Sequence, residues 1–179
     1  MTRNRIALTT CLAALAALSP AREASTRPAA TAPAACNVEA YVVDKDPKGL
    51  NVRDAPGVGG KVLAVIPLDE DGTIVHLAAS GPQGWVQIDR AETVGGTVVF
   101  DRKGWVSGNM LGTETRGYGT KGVKLRGDGR PGKVLGTIPP ETEVRVAGCA
   151  GERVKVRHGS LNGWLEPEDQ CPNPVTLCN

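Results

Sequence analysis

The sequence predicts an all-β protein built from two small, similar modules, and three observations carry that reading. Gly and Pro are dense, at 23 and 13 of 179 residues, while aromatic residues make up only 3%. Apolar and polar residues alternate over short stretches, as in Leu50-Asn51-Val52-Arg53 and Val154-Lys155-Val156-Arg157. That is the period of a strand with one face buried. The chain also repeats itself in four blocks that keep the same order, which implies two copies of one structural unit.

From the N-terminus, residues 1–21 read as a secretory signal: Arg3 and Arg5, the apolar run 6–18, then Ser19-Pro20-Ala21. The apolar run has 13 residues, too short to span a bilayer. It carries no amphipathic stripe and a Pro/Ala tract follows it, which speaks against a buried core helix. A lipid anchor needs a cysteine at the cleavage site. Cys11 lies inside the run and Cys36 well beyond it, so a soluble periplasmic or secreted product is expected. Residues 22–35 contain no large apolar side chain and cannot offset the entropy of ordering. They are expected to be a disordered linker. Two modules follow, at 36–115 and at 116–179, the second with a cysteine-containing tail.

Loss of the leader leaves 19 basic and 19 acidic residues, because Arg3 and Arg5 are its only charges. A balanced chain without basic clusters argues against nucleic acid and against an anionic membrane surface. It also leaves four cysteines, Cys36, Cys149, Cys171 and Cys178. An even set in an exported chain favours two disulfides, and three pairings are open. There is no C-x-x-C, and His76 and His158 fit no ligand spacing, so neither metal nor cofactor is expected. Since these cysteines lie at the globular N-terminus or in the second module, reduction is expected to weaken the second module more.

The repeat sets the strands. Gly49-Leu50-Asn51-Val52-Arg53 matches Gly122-Val123-Lys124-Leu125-Arg126 at an offset of 73 residues, and 61–67 matches 133–139 at 72. Residues 73–78 fall on 142–147. Gly104-Trp105-Val106 falls on Gly163-Trp164-Leu165, where the offset has dropped to 59. The first copy therefore carries extra residues around 90–103. Turn-forming pairs such as Pro56-Gly57, Gly59-Gly60, Asp71-Gly72, Gly95-Gly96, Asp128-Gly129 and Pro131-Gly132 separate the blocks. Many short strands at close spacing mean small barrels or sandwiches.

The first copy resembles the bacterial SH3 (SH3b) family. The residues that carry this are Gly49-Leu50-Asn51-Val52-Arg53-Asp54-Ala55-Pro56, Val62-Leu63-Ala64-Val65-Ile66-Pro67, Gly84-Trp85-Val86-Gln87-Ile88 and Gly104-Trp105-Val106-Ser107. The second copy departs from the pattern: Lys124 replaces the Asn, Gly127-Asp128-Gly129 replaces the Ala-Pro turn, and Arg153 stands in place of Trp85. The resemblance implies two tandem SH3-like β-barrels. It also implies a role common in that family, cell-wall targeting or protein interaction in an exported bacterial protein.

Catalysis finds little support in the residues. A cysteine hydrolase needs a thiolate, a histidine base and an orienting group. His76 should point outward from a strand, His158 sits in an expected hairpin turn, and disulfide formation would consume Cys149. The acids Asp69-Glu70-Asp71 and Glu166, Glu168 and Asp169 fall in Pro- and Gly-flanked turns, where solvated charge is the default over paired glycosidase carboxylates. The first group lacks the spacing and distal Glu of an EF-hand. Residues 57–60 lack the Lys-Ser/Thr ending of a phosphate loop. The chain is expected not to be an enzyme.

Binding is the better hypothesis. Trp105 and Trp164, each in a Gly-Trp context, are expected to be partial core residues in preference to ligand contacts. Trp85 starts a strand whose Val86 and Ile88 face inward, so it should present its indole on the other face, as a contact for peptide or sugar. Asn51, Arg53 and Asp54 alternate outward beside the first turn, where they either touch a ligand or secure the turn. The expected ligand-binding set is Trp85, Asn51, Arg53, Asp54 and Trp105. The expected partner is cell-wall peptidoglycan or its peptides. The alternative is an exported partner protein, for which this chain would be an adaptor, regulator or accessory subunit. Without a Trp85 equivalent, the second module is expected to be mainly structural.

Overall fold

A computed structural model describes residues 32–173, 175, 176 and 178. The expected signal peptide and residues 22–31 of the expected linker lie outside the described residues. Residues Thr31–Asn179 form one compact unit.

That unit is all-β. Its strands are β1 Ala34–Val42, β2 Leu50–Arg53, β3 Val62–Ile66, β4 Thr73–Ser80, β5 Trp85–Thr93, β6 Val98–Phe100, β7 Gly104–Ser107 and β8 Leu111–Thr115. There follow β9 Val123–Arg126, β10 Val134–Ile138, β11 Glu143–Ala150, β12 Arg153–His158, β13 Leu161–Leu165 and β14 Gln170–Cys171. The only helical pieces among the described residues are the three-residue 3-10 turns Pro82–Gly84, Gly108–Met110 and Pro167–Asp169. The period-two segments do what alternation requires. Leu50 and Val52, Val144 and Val146, and Val154 and Val156 are all buried, while Asn51 and Arg157 face solvent.

The strands are hydrogen-bonded into one antiparallel sheet that does not close on itself, in the order β10-β9-β13-β12-β11-β8-β1-β4-β5-β7-β2-β3. The order mirrors itself about its centre. Outward from β1 it runs β4, β5, β7, β2, β3; outward from β8 it runs β11, β12, β13, β9, β10. These are corresponding elements of the two sequence copies. The extra residues of the first copy lengthen β5 and add β6, which pairs with β5 off the main path. They place Phe100 in the core, 5% exposed.

Strand β8 belongs to both copies. Leu111 and Gly112 pair with β1, Gly112 to Glu114 with β11, and Glu114 and Thr115 with β14. In each copy a first strand (β1 or β8) pairs with the long strand of the third block (β4 or β11) and with the strand that follows a 3-10 turn (β8 or β14). β8 is the last strand of the first set and the first strand of the second. One apolar cluster runs through the unit, from Val38, Val52 and Ile88 to Leu125, Val146 and Leu165.

Two matched glycines show how closely the copies agree. Gly49 and Gly122 have φ of +87° and +102°. A Cβ there would lie 2.2 Å from the Ile66 carbonyl oxygen and 2.1 Å from that of Ile138, respectively. Only glycine meets both the backbone sign and the close approach.

The disulfides are Cys36–Cys149 and Cys171–Cys178. The first joins β1 to β11, so it ties the two copies together and does not reinforce the second copy alone. Beside it, Asn37 N–H donates to the Gly151 carbonyl at 2.8 Å and Gly151 N–H to that of Ala35 at 2.9 Å. Ala34 and Ala35 also pair with Ser80 and Ala79 of β4. The end of the expected linker is thus ordered strand, because backbone partners on two sides supply what its small side chains cannot.

Candidate functional site

A cleft of about 290 Å³ gathers Trp85, Asn51 and Arg53. Trp85 opens β5, opposite Ser107 of β7. Val86 and Ile88 are fully buried, so the strand period turns the half-buried indole to the other face. Asn51 projects from β2. Arg53, also on β2, donates from Nη1 to the Gly60 carbonyl at 2.7 Å, which fixes its guanidinium beside the 54–61 loop. Leu50, Val58 and Met110 complete the apolar lining, with Val58 86% exposed.

Two proposed contacts stand elsewhere. Asp54 closes its own loop: its Oδ1 accepts from Lys61 N–H at 2.8 Å, and its N–H donates to the Lys61 carbonyl at 3.0 Å. Trp105 is 8% exposed and lies against Gly81, where a Cβ would sit 2.5 Å from the ring. It is a packed wall and does not line the cleft.

Sequence reasoning missed Asp44, Asp46, Ser107 and Met110, which also line the cleft. Asp46 N–H bonds Asp44 Oδ1 at 3.1 Å, and Lys48 N–H bonds Asp46 Oδ1 at 2.9 Å. These turns leave one oxygen of each carboxylate for other partners. The Asp-Lys-Asp run before Gly49 was a visible turn signal, but nothing local showed that it meets the 3-10 turn Gly108–Met110.

The corresponding face of the second copy is occupied from within. Arg153, at the position of Trp85, is 7% exposed, with its Nε 3.2 Å from Glu166 Oε1. Its guanidinium carbon lies 4.9 Å from the Trp164 ring centroid, and Lys155 Nζ lies 5.4 Å from it. The Trp164 indole N–H donates to Asp128 Oδ1 at 2.8 Å. This bond first, and then Lys155, holds the Asp128 carboxyl below the usual aspartate range.

His76 does face outward, as the alternation requires. Its Nδ1 is 2.6 Å from Asp89 Oδ1 and its Nε2 is 3.0 Å from Asn37 Oδ1. It therefore links β5 to β1 across β4. Both ring nitrogens are engaged, and Cys149 is bonded to Cys36. Among the described residues no group of three His, Cys, Asp or Glu side chains is placed to hold a metal ion.

Comparison with protein-family models, curated proteins and solved structures finds no match.

Proposed function

We propose that this chain is a non-catalytic binding protein of the bacterial cell envelope, whose ligand is peptidoglycan or its peptides, seated at Trp85. The convergence of Trp85, Asn51 and Arg53 in one cleft carries this reading. A half-buried indole supplies flat contact area for a peptide or sugar, and flanking amide and guanidinium groups supply direction. The engagement of both His76 nitrogens and of the Cys149 sulfur supports the non-catalytic part. Periplasmic or secreted location is supported by the two disulfides and by the sequence of residues 1–21. No helix among the described residues is long and apolar enough to cross a membrane. The mirrored strand order and the matched glycines support two tandem SH3-like units that share β8.

The test is retention on purified, protein-free cell wall. The chain is expected to co-sediment, and Trp85→Ala to weaken retention about tenfold or more, the scale of a central aromatic contact. Equal retention of both chains, or none of either, would refute the assignment. The second outcome would leave a protein partner as the better reading.

A further inference from the structure

The geometry points to a bipolar ligand for the Trp85 cleft: a short wall peptide whose aliphatic side chain ends in a free ammonium and whose last residue carries a free carboxylate. The ammonium sits at the Trp85 ring on the Asp44 and Asp46 side, and the carboxylate sits at Arg53. This names the ligand class within the reading above and rests on that reading.

Both signs of charge line one cleft, and neither neutralises the other. Asp44 and Asp46 come from the connection between β1 and β2, and Arg53 ends β2. None of the three is in an ion pair among the described residues. The strand between them keeps the poles apart, by roughly 10 Å for three steps of about 3.3 Å. Each group keeps capacity for a further partner. A turn N–H takes one oxygen of each carboxylate. Arg53 donates to the Gly60 carbonyl at 2.7 Å, which uses one of the several N–H donors of its guanidinium.

The second copy shows how such a face is satisfied from within. Arg153 and Lys155 bring their cations to 4.9 and 5.4 Å from the Trp164 ring centroid, and Asp128 accepts from the indole. An indole face attracts a cation, and a carboxylate beside it adds to the pull. Trp85 stands where Arg153 does, and no cation of the described residues lies over its ring. Its face is therefore open to a cation from outside the chain. Leu50, Val58 and Met110 give apolar wall for the stem behind that cation.

Span and charge together fix the class. A diamino-acid residue followed by one terminal residue reaches from pole to pole when extended. A cross-link made through the side-chain amine turns that amine into a neutral amide, so the cleft selects wall peptides that are not cross-linked.

The probe is Nα-acetyl-lysyl-alanine, titrated calorimetrically into the full chain at low salt. Two neutralised forms accompany it, one acetylated on the side-chain amine and one amidated at the C-terminus. The parent peptide is expected to bind, and each neutralised form to bind about tenfold more weakly, the worth of one hydrogen bond to a charged group. The variant Asp44→Asn, Asp46→Asn keeps an oxygen for each turn N–H. It should bind the parent and the side-chain-acetylated peptide within about twofold of each other, yet still prefer the free carboxylate about tenfold. Equal affinity of the unaltered chain for all three peptides, or binding of none, would overturn the inference. A preference for the free amine that survives in the double variant would overturn it too, because the amine then lies elsewhere. If the peptides fail while retention on purified wall still depends on Trp85, only this inference falls. Loss of that retention removes the reading beneath it.

Discussion

Arg153 and Trp164 stack at 4.9 Å, centre to centroid, on the strand position that Trp85 holds in the first copy. The substitution converts a potential contact face into an internal ion-and-ring cluster, because Glu166 and Asp128 bind the cation and the indole from either side. Removing the guanidinium should leave a half-buried Glu166 without its partner and strip a cation from the ring. Arg153→Ala is expected to cost about 2 kcal/mol in urea unfolding, while retention on cell wall stays unchanged. Loss of retention at intact stability would make the second copy a binding unit.

The bond between Trp164 and Asp128 should report acid. The Asp128 carboxyl titrates lower in the folded chain than in the unfolded one, first through the indole N–H and then through Lys155. A depressed value means that its stabilisation is present above the unfolded aspartate pKa and lost as pH falls through the lower folded value. The fluorescence of Trp164 is therefore expected to change with a midpoint below that of an ordinary aspartate. Asp128→Asn should lack the transition. A midpoint at or above the ordinary value would contradict the bond.

The two disulfides should differ in worth. Cys36–Cys149 closes 113 residues and Cys171–Cys178 only 7. Chain-entropy reasoning gives about 4.7 kcal/mol for a loop of about 100 residues and roughly 2.5 for one this short. The Cys36→Ala, Cys149→Ala chain should thus be less stable than the Cys171→Ala, Cys178→Ala chain by roughly 2 kcal/mol. Both copies should unfold in one transition, since the bridge and the core span them. Two separated transitions would show that the copies fold independently.

Much of this was legible in the residues, and the misses have one cause. Leu50, Val52, Val144 and Val156 declare their faces by alternation alone, and the Gly-Trp blocks declare the repeat. The Trp85 orientation followed from Val86 and Ile88. What alternation cannot show is contact between distant segments. Val43 meets Met110, Cys36 meets Cys149, and Ala35 finds Gly151, all through pairings that depend on how β1 and β8 are placed. Asp54 and Trp105 fall outside the cleft for a related reason. A polar residue at a turn and a tryptophan on a strand look alike in sequence whether they serve a ligand or the fold.

The glycines before Trp105 and Trp164 have a steric reason. A Cβ on Gly104 would lie 2.3 Å from Val52 Cγ1, and one on Gly163 would lie 2.6 Å from the Arg126 carbonyl oxygen. The neighbour of Gly163 is backbone and cannot rotate away. Both alanine variants are expected to lose about 1–3 kcal/mol by overpacking, with Gly163→Ala the worse in thermal unfolding. If Gly104→Ala is the more damaging, adjustment of Val52 is harder than adjustment of the chain.

A cut after Thr115 should leave the second copy unable to fold. The fragment 116–179 lacks β8, and with it the pairing of Glu114 to Glu143 and of Thr115 to Gln170. It also loses the Thr115 hydroxyl, which donates to the Pro139 carbonyl at 2.7 Å and accepts from Thr142 N–H at 3.0 Å. Each such bond contributes about 1 kcal/mol, and a unit of some 60 residues has little stability to spare. Circular dichroism is expected to show 116–179 unfolded, and 108–179, which restores β8, recovering strand signal and a cooperative melt. Cys149 lacks Cys36 in either fragment, so that bridge cannot account for the difference. Folded structure in 116–179 would mean that β8 is needed by the first copy only.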